Sequence, residues 1–357
     1  MGFKVAILEG DGIGPEVVNC ARKVLEAISK IFNIELSFEY GLIGGAAIDK
    51  FSKPLPEETL SLCKESSAIL LGAVGGPKWD SLPTNMRPEA GLLALRKELD
   101  LYANLRPVKV FSELSDSSPI KNIDGVDILI IRELTGDAYF GEPRGIFEKD
   151  GELFGVNTMQ YSQSQIKRVA KFAFEVAKSR KKKLTSVDKA NVLEVSALWR
   201  KVVSEVAKDY PEIELEHLYV DNCAIQLIKR PKSFDVLLTG NIFGDILSDE
   251  AGALSASLGM LPSASIGSSY ALYEPIHGSA PDIAGKGVAN PIATVLSVGM
   301  MLEYSFKNKK AAKLVEEAVS KALKAGVFTP DICPEGKKPS TTDEMCNAII
   351  KALEEGG

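Results

Sequence analysis

Short apolar runs and amphipathic runs alternate along this chain. The stretches KVAILEG (4–10), AILLGAVGG (68–76), DILIIREL (127–134) and FDVLLTG (234–240) are each bounded by glycine or charge, as buried strands are. Several are followed by helical periodicity. Behind the first, Val17, Val18, Ala21, Val24, Leu25 and Ile28 recur at three- and four-residue spacing, and Pro15 suits a first helical position. The alternation predicts an α/β protein with a largely parallel sheet. The run KSRKKK (178–183) closes a helical pattern, where cations complement the helix dipole, and reads as a solvated helix end. No internal repeat or low-complexity tract is present. The segment RPVKVFSELSDSSPIKNIDGVD (106–127) is extended and turn-rich, a candidate passage from one domain to another.

Composition narrows the class. A chain of 357 residues, 45% hydrophobic and 25% charged, can bury one large core or two ordinary ones. With 42 basic against 48 acidic residues the formal charge is -6, which exerts no global pull on nucleic acid. The five cysteines, at 20, 63, 223, 333 and 346, lack C-x-x-C spacing, so neither a disulfide framework nor a structural zinc site is indicated. No apolar stretch reaches the roughly 20 residues of a membrane span, and the N-terminal apolar run is too short for a signal peptide. A reducing, cytoplasmic setting is expected.

The glycine-rich GDGIGPE (10–16) departs from a dinucleotide fingerprint, because its third glycine falls one residue early and Pro15 supplies no N–H; a structural turn is the better reading. In GNIFGDILSDEAG (240–252), Asp245 and Asp249 stand four apart on a predicted helix at the carboxyl end of a strand, where open α/β sheets place ligands. Their like charges call for a counter-ion, and Mg²⁺ or Mn²⁺ suits oxygen donors. Asp221 ends an apolar strand, with Asn222 placed to cap the next helix. Lys189, between strand-like and helix-like runs, is either a surface charge or a general base; Arg96, Arg106 and Arg132 suggest a polycarboxylate substrate. The polar stretch EPIHGSAPDIAGKGVANP (274–291) could hold a nucleotide, with Asp282 at a ribose hydroxyl, or be a structural loop.

Taken in order, GDGIGPE, LGAVGGPKWD, LRKELDLYANLRP, RELTGDAYFGEPRG, VDKANVLEVS, YVDNCAIQL, TGNIFGDILSDEAG and HGSAPDIAGKGVANPIATVLS resemble the isocitrate and isopropylmalate dehydrogenases, essentially end to end. The resemblance implies two α/β domains around a central cleft and a cofactor site that is not of Rossmann type. A cofactor domain would combine residues 1–100 and 254–357, and residues 101–253 would carry substrate, metal and dimer contacts. NAD would lie against His277, Gly278, Ser279, Ala280, Pro281, Asp282, Ile283 and Asn290, with Gly75, Gly76 and Glu89 towards the nicotinamide. Asp282 would repel a 2′-phosphate, favouring NAD over NADP.

By the same resemblance, Arg96, Arg106 and Arg132 would bind the substrate carboxylates. Asp221, Asp245 and Asp249 would hold Mg²⁺ or Mn²⁺, Asp221 also facing substrate; Lys189 would be the base and Tyr139 the proton donor. Glu89, Leu92 and Leu93 would form an acidic and apolar rim suited to an isopropyl group. The implied reaction is NAD-dependent oxidative decarboxylation of 3-isopropylmalate, in a homodimer whose subunits lend one another Lys189 and Asp221. Sister activities on D-malate, tartrate or homoisocitrate are alternatives that the apolar rim disfavours. A catalytically inactive regulatory subunit is disfavoured because Tyr139, Lys189 and the three aspartates are all present.

Overall fold

The computed structural model describes residues 2–118 and 120–356. Its strands are β1 (Phe3–Gly10), β2 (Leu36–Tyr40), β3 (Ala68–Ala73), β4 (Leu101–Lys109), β5 (Asp127–Glu133), β6 (Gly141–Lys149), β7 (Glu152–Thr158), β8 (Lys183–Asp188), β9 (Glu214–Tyr219), β10 (Val236–Thr239), β11 (Pro262–Gly267) and β12 (Ala271–Pro275). The four apolar runs read from the sequence become β1, β3, β5 and β10, and the pairing is mostly parallel. Two compact units divide the chain: residues 1–101, 111–124 and 255–357 form the first, residues 102–110 and 125–254 the second. The turn-rich segment after β4 thus belongs, from Phe111 to Asp124, to a different unit from the residues on either side of it.

In the first unit β1 pairs in parallel with β2 and β3, β12 runs parallel to β3, and β11 is antiparallel to β12. Strands β1 and β3 are buried along most of their length, which is why they read as continuous apolar runs and not as alternations. The Gly14–Phe32 helix follows β1 and buries Val17, Val18, Ala21, Val24, Leu25 and Ile28, the positions that its sequence period picks out.

The turn between them is set by close backbone approach. A Cβ on Gly10 (φ +72°) would lie 1.9 Å from the Ala73 carbonyl oxygen, and one on Gly12 (φ +58°) 1.9 Å from that of Ser279. Only glycine tolerates both the left-handed backbone and this contact. Asp11 between them turns its carboxylate onto the amides of Gly45, Ala46 and Gly75 at 2.8–2.9 Å. The glycine-rich stretch is a structural knot, as its spacing indicated.

In the second unit β4 and β5 are antiparallel, while β5, β10, β8 and β9 run parallel in that order. The register matters for function. Thr239 lies beside Arg132 and beside Val187, and Asp188 beside Tyr219, so these strands end level with one another. Whatever follows each strand emerges along one edge. Strands β6 and β7 form a separate antiparallel arm.

One local expectation is corrected here. Strand β9 stops at Tyr219 and the Val220–Lys229 helix starts at the next residue, so Asp221 lies in the first helical turn and does not end the strand. Asn222 caps nothing: its Oδ1 accepts from Gln226 Nε2 at 3.0 Å, one turn on. With no residue between strand and helix, there is no place for an asparagine cap, and Tyr219 takes that position without a side-chain bond.

Candidate active site

The carboxyl edge of the second unit gathers most of the predicted chemistry. The Asn241–Gly252 helix begins directly after β10 and presents Asp245 and Asp249 on one face, as four-residue spacing requires. Asp245 Oδ1 meets Arg132 Nη1 in a short charge-assisted bond and Arg106 Nη1 at 3.3 Å, while Oδ2 accepts the Tyr139 hydroxyl at 2.6 Å. Asp249 stands 3.5 Å from the same Arg106 nitrogen. Both arginines are nearly sealed, 6% and 2% exposed, so their charges depend on these carboxylates.

Neutral partners fix the two guanidiniums. Arg106 Nε donates to Asn104 Oδ1 at 2.7 Å and Nη1 to Ser248 Oγ at 2.6 Å. Arg132 Nε donates to Asn241 Oδ1 at 2.9 Å. Asn241 is itself held, its backbone N–H donating to the Tyr161 hydroxyl at 2.8 Å. The sequence reading missed Asn104, Asn241 and Ser248. For Asn104 a signal existed: two residues from Arg106 on a strand, it had to share that face.

The titration behaviour reflects this packing. Burial first, then Asp245, raises the Tyr139 phenol above its ordinary value, which keeps the proton on oxygen at neutral pH. Burial also raises Asp249, against the pull of Arg106, and the neighbouring Asp245 charge adds to the rise. Two carboxylates competing for a limited cationic supply suit a further positive charge, and their hard oxygens suit Mg²⁺ or Mn²⁺.

Lys189 and Asp221 form a second group in the same unit. Lys189 follows β8 and its Nζ reaches Asp221 Oδ1 at 2.5 Å, a bond that holds the Asp221 carboxyl below its ordinary value. Asp221 does not join Asp245 and Asp249 within this chain. Among the described residues, no three His, Cys, Asp or Glu side chains come together as a metal-ligating group.

The remaining predicted residues lie in the first unit. Arg96, on the Pro88–Glu98 helix, donates from Nη2 to Glu274 Oε1 at 2.7 Å, and both side chains are about nine-tenths buried. Its Nε is buried without a hydrogen-bond partner. Glu89 lies against Gly75, where a Cβ would sit 2.6 Å from Glu89 Oε1. The Gly75 amide itself is taken by Asp11, and Gly76 follows with a positive φ of 155°, which residues with a side chain rarely adopt. Leu92 packs partly against the core of Leu8, Ile69 and Leu95, and Leu93 is half-buried.

The loop after β12 carries the residues expected to meet the cofactor. His277 Nδ1 donates to the Gly278 carbonyl at 2.9 Å, which leaves Nε2 an acceptor, buried and unpartnered; burial lowers the imidazole pKa and keeps it neutral. Gly278 faces open space, as do Gly285 and Gly287 further along. Asp282 and Pro281 are exposed, while Ala280 and Ile283 pack against Ile13, Val17 and Ala289. Ser279 is buried and takes the Ile13 amide on its carbonyl. Asn290 is spent internally: Nδ2 donates to Asp331 and Oδ1 accepts the Ile292 amide, each at 3.0 Å.

Comparison with known proteins gives the family. Residues 4–349 match the family model described as isocitrate/isopropylmalate dehydrogenase. The chain is 62% identical over 354 residues to a 3-isopropylmalate dehydrogenase of Aquifex aeolicus, covering 99% of this chain and 97% of that one. It is 57% identical to a 3-isopropylmalate dehydrogenase of Geobacillus kaustophilus, covering 98% and 95%. Among solved structures, the isocitrate dehydrogenase of Methylococcus capsulatus superposes with a TM-score of 0.87 at 34% identity, covering 99% of both chains. A buried arginine pair closed on a helical aspartate pair, in a chain matched over nearly its whole length, makes this protein a member of the isocitrate/isopropylmalate dehydrogenase family of oxidoreductases.

Proposed function

We propose that the protein catalyses the NAD-dependent oxidative decarboxylation of (2R,3S)-3-isopropylmalate to 2-oxoisocaproate and CO₂, a step of leucine biosynthesis. The observation that carries the chemistry is the convergence of Arg106, Arg132 and Tyr139 on Asp245, beside Asp249. When bound, NAD⁺ on the His277–Asn290 loop supplies the hydride acceptor, and Mg²⁺ or Mn²⁺ on Asp221, Asp245 and Asp249 supplies Lewis-acid polarisation of the substrate oxygen.

The chain's own residues do the rest. Arg96, Arg106 and Arg132 hold the two carboxylates, the guanidinium forks of the last two already aimed by Asn104, Ser248 and Asn241. Lys189 Nζ, as the uncharged amine, takes the hydroxyl proton at C2 as hydride leaves that carbon. After CO₂ departs from C3, Tyr139 Oη, still protonated at neutral pH, donates a proton to that carbon. Glu89, Leu92 and Leu93 meet the substituent on C3, and the first unit carries the cofactor.

The working form we propose is a homodimer. Ile225 and Ile228 on the Val220–Lys229 helix are 52% and 40% exposed, and Ile246, between the two metal-binding aspartates, is 61% exposed. The β6–β7 arm exposes Ile146 and Leu153 at 76% and 71%. Apolar side chains of this size bare on adjoining helices suit a two-fold partner of the same sequence. A shared site also accounts for Asp221 standing apart from Asp245 and Asp249 in one chain.

The test is NADH formation, followed by absorbance, on mixing protein, 3-isopropylmalate, NAD⁺ and Mg²⁺. Turnover is expected, and chelation is expected to abolish it with recovery on adding Mg²⁺ or Mn²⁺ back. Equal or better kcat/KM on D-malate would overturn the substrate assignment. For the rim, Leu93→Ser is expected to cost about 1–3 kcal/mol in kcat/KM for the isopropyl substrate and less for malate. Equal losses on both substrates would remove Leu93 from the pocket.

A further inference from the structure

We propose that Arg200 is a positioning residue that holds Lys189 and Asp221 in mutual register, an inference that rests on the catalytic role assigned to that pair above. Arg200 lies on the Glu194–Ala207 helix and itself contacts neither member of the pair through a hydrogen bond. Its guanidinium grips Asp188 with both arms: Nε donates to Oδ2 and Nη2 to Oδ1, each at 2.9 Å. Asp188 is 2% exposed, so this carboxylate has no water to fall back on.

The grip is transmitted to Lys189 through the backbone. Asp188 Oδ1 also accepts the Ala190 N–H at 2.9 Å, closing a tight turn with Lys189 at its centre. On the other side the Lys189 carbonyl accepts the amides of Val192 and Leu193, each at 3.0 Å. The lysine backbone is therefore pinned from before and after, and the forward pin exists only while Asp188 is oriented.

The same guanidinium reaches the other partner. Its Cζ sits 4.9 Å from the centroid of the Tyr219 ring, a cation–π contact. Tyr219 is the N-cap of the helix whose first turn carries Asp221, and it is the register partner of Asp188 across β8 and β9. One side chain thus fixes the turn that presents Lys189 and the residue from which the Asp221 helix springs. The consequence is a half-site assembled inside each chain before any partner subunit is met.

A lysine at 200 keeps the charge and loses the fork and the stacking face. Arg200→Lys is expected to lower kcat by about 10-fold or more while KM for 3-isopropylmalate stays within about threefold, as for a displaced base. Lys189→Met alone is expected to lower kcat by about 10³-fold. The deciding measurement is the double variant. If Arg200 acts through Lys189, Arg200→Lys costs less than about twofold more in the Lys189→Met background.

An equal factor in both backgrounds, with a lowered thermal midpoint, means a purely structural role and overturns the inference. So does an unchanged kcat in Arg200→Lys. Should that variant fail to fold, Tyr219→Leu leaves the Asp188 grip in place and removes the stacked ring with its hydroxyl; a smaller kcat loss that likewise vanishes in the Lys189→Met background supports the proposal, and a loss that persists there overturns it. Wild-type kcat in Lys189→Met would instead overturn the catalytic role of the pair, an outcome read without touching Arg200.

Discussion

Asp245→Asn is expected to leave a folded protein with kcat reduced by about 10³-fold or more. Three groups lose their common acceptor at once. Arg132 and Arg106 are 2% and 6% exposed and face Asp245 Oδ1, while the Tyr139 hydroxyl donates to Oδ2. An asparagine offers one acceptor oxygen, and its NH₂ group faces either both guanidiniums, donor against donor, or the Tyr139 hydroxyl, which must then turn from donating to accepting. The arginines proposed to grip substrate and the proposed proton donor are then no longer fixed relative to each other, and one of the two helical carboxylates proposed for the cation is gone.

Stability should fall too, though less than for a sealed pair. Breaking a fully buried ion pair costs about 3–5 kcal/mol. The Asp245 side chain keeps 34% of its exposure and Asp249 remains 3.5 Å from Arg106, so water and the second carboxylate offset part of that. A loss of about 1–3 kcal/mol is expected, visible as a lowered denaturant midpoint. A soluble Asp245→Asn enzyme with more than a tenth of wild-type kcat would remove Asp245 from the centre of the site.

How far the site could be read without coordinates follows from the range of each physical signal. Asp245 and Asp249 were legible together because helical period alone puts them on one face. Their counter-charges were not. Arg132 is 113 residues from Asp245, and what unites them is the register of β5 against β10, which no local pattern encodes. Buried strands announced themselves as apolar runs because both faces are covered; β9 is half-exposed, so the strand was read but its end, and the start of the following helix, were misplaced. Arg96 is expected from the sequence to bind substrate, but its ion pair with Glu274, 178 residues away, is visible only in three dimensions.

The residues that sequence reasoning passed over share a character. Asn104, Asn241, Ser248, Asp188 and Arg200 are polar side chains bonded to one another or to charged groups of the candidate site, and no chemical step is assigned to them. Their motif positions are ordinary; what distinguishes them is a place beside a charge that must not move. The structure is thus layered, with charges chosen for reaction and amides, hydroxyls and a second ion pair chosen to hold those charges still.

Mixing two inactive variants is expected to restore activity, and the size of the recovery tests how the site is divided between subunits. Asp245→Asn spoils the face that carries Tyr139, Arg106 and Arg132, and Lys189→Met spoils the half-site next to Asp221. If one subunit supplies the first and its partner the second, a hybrid dimer contains one site with both lesions and one with neither. Random exchange makes half the dimers hybrid, so activity should rise from near zero to about a quarter of wild type. A chain that completed its own site would give no recovery at any mixing ratio. Lys189 and Asp221 pair within one chain while Asp221 stays apart from Asp245 and Asp249, so in the proposed dimer the division would fall between these two clusters and not through either. Adding Ile246→Asp to both variants should abolish the recovery, because an acid on that exposed apolar surface blocks the association on which the hybrid depends.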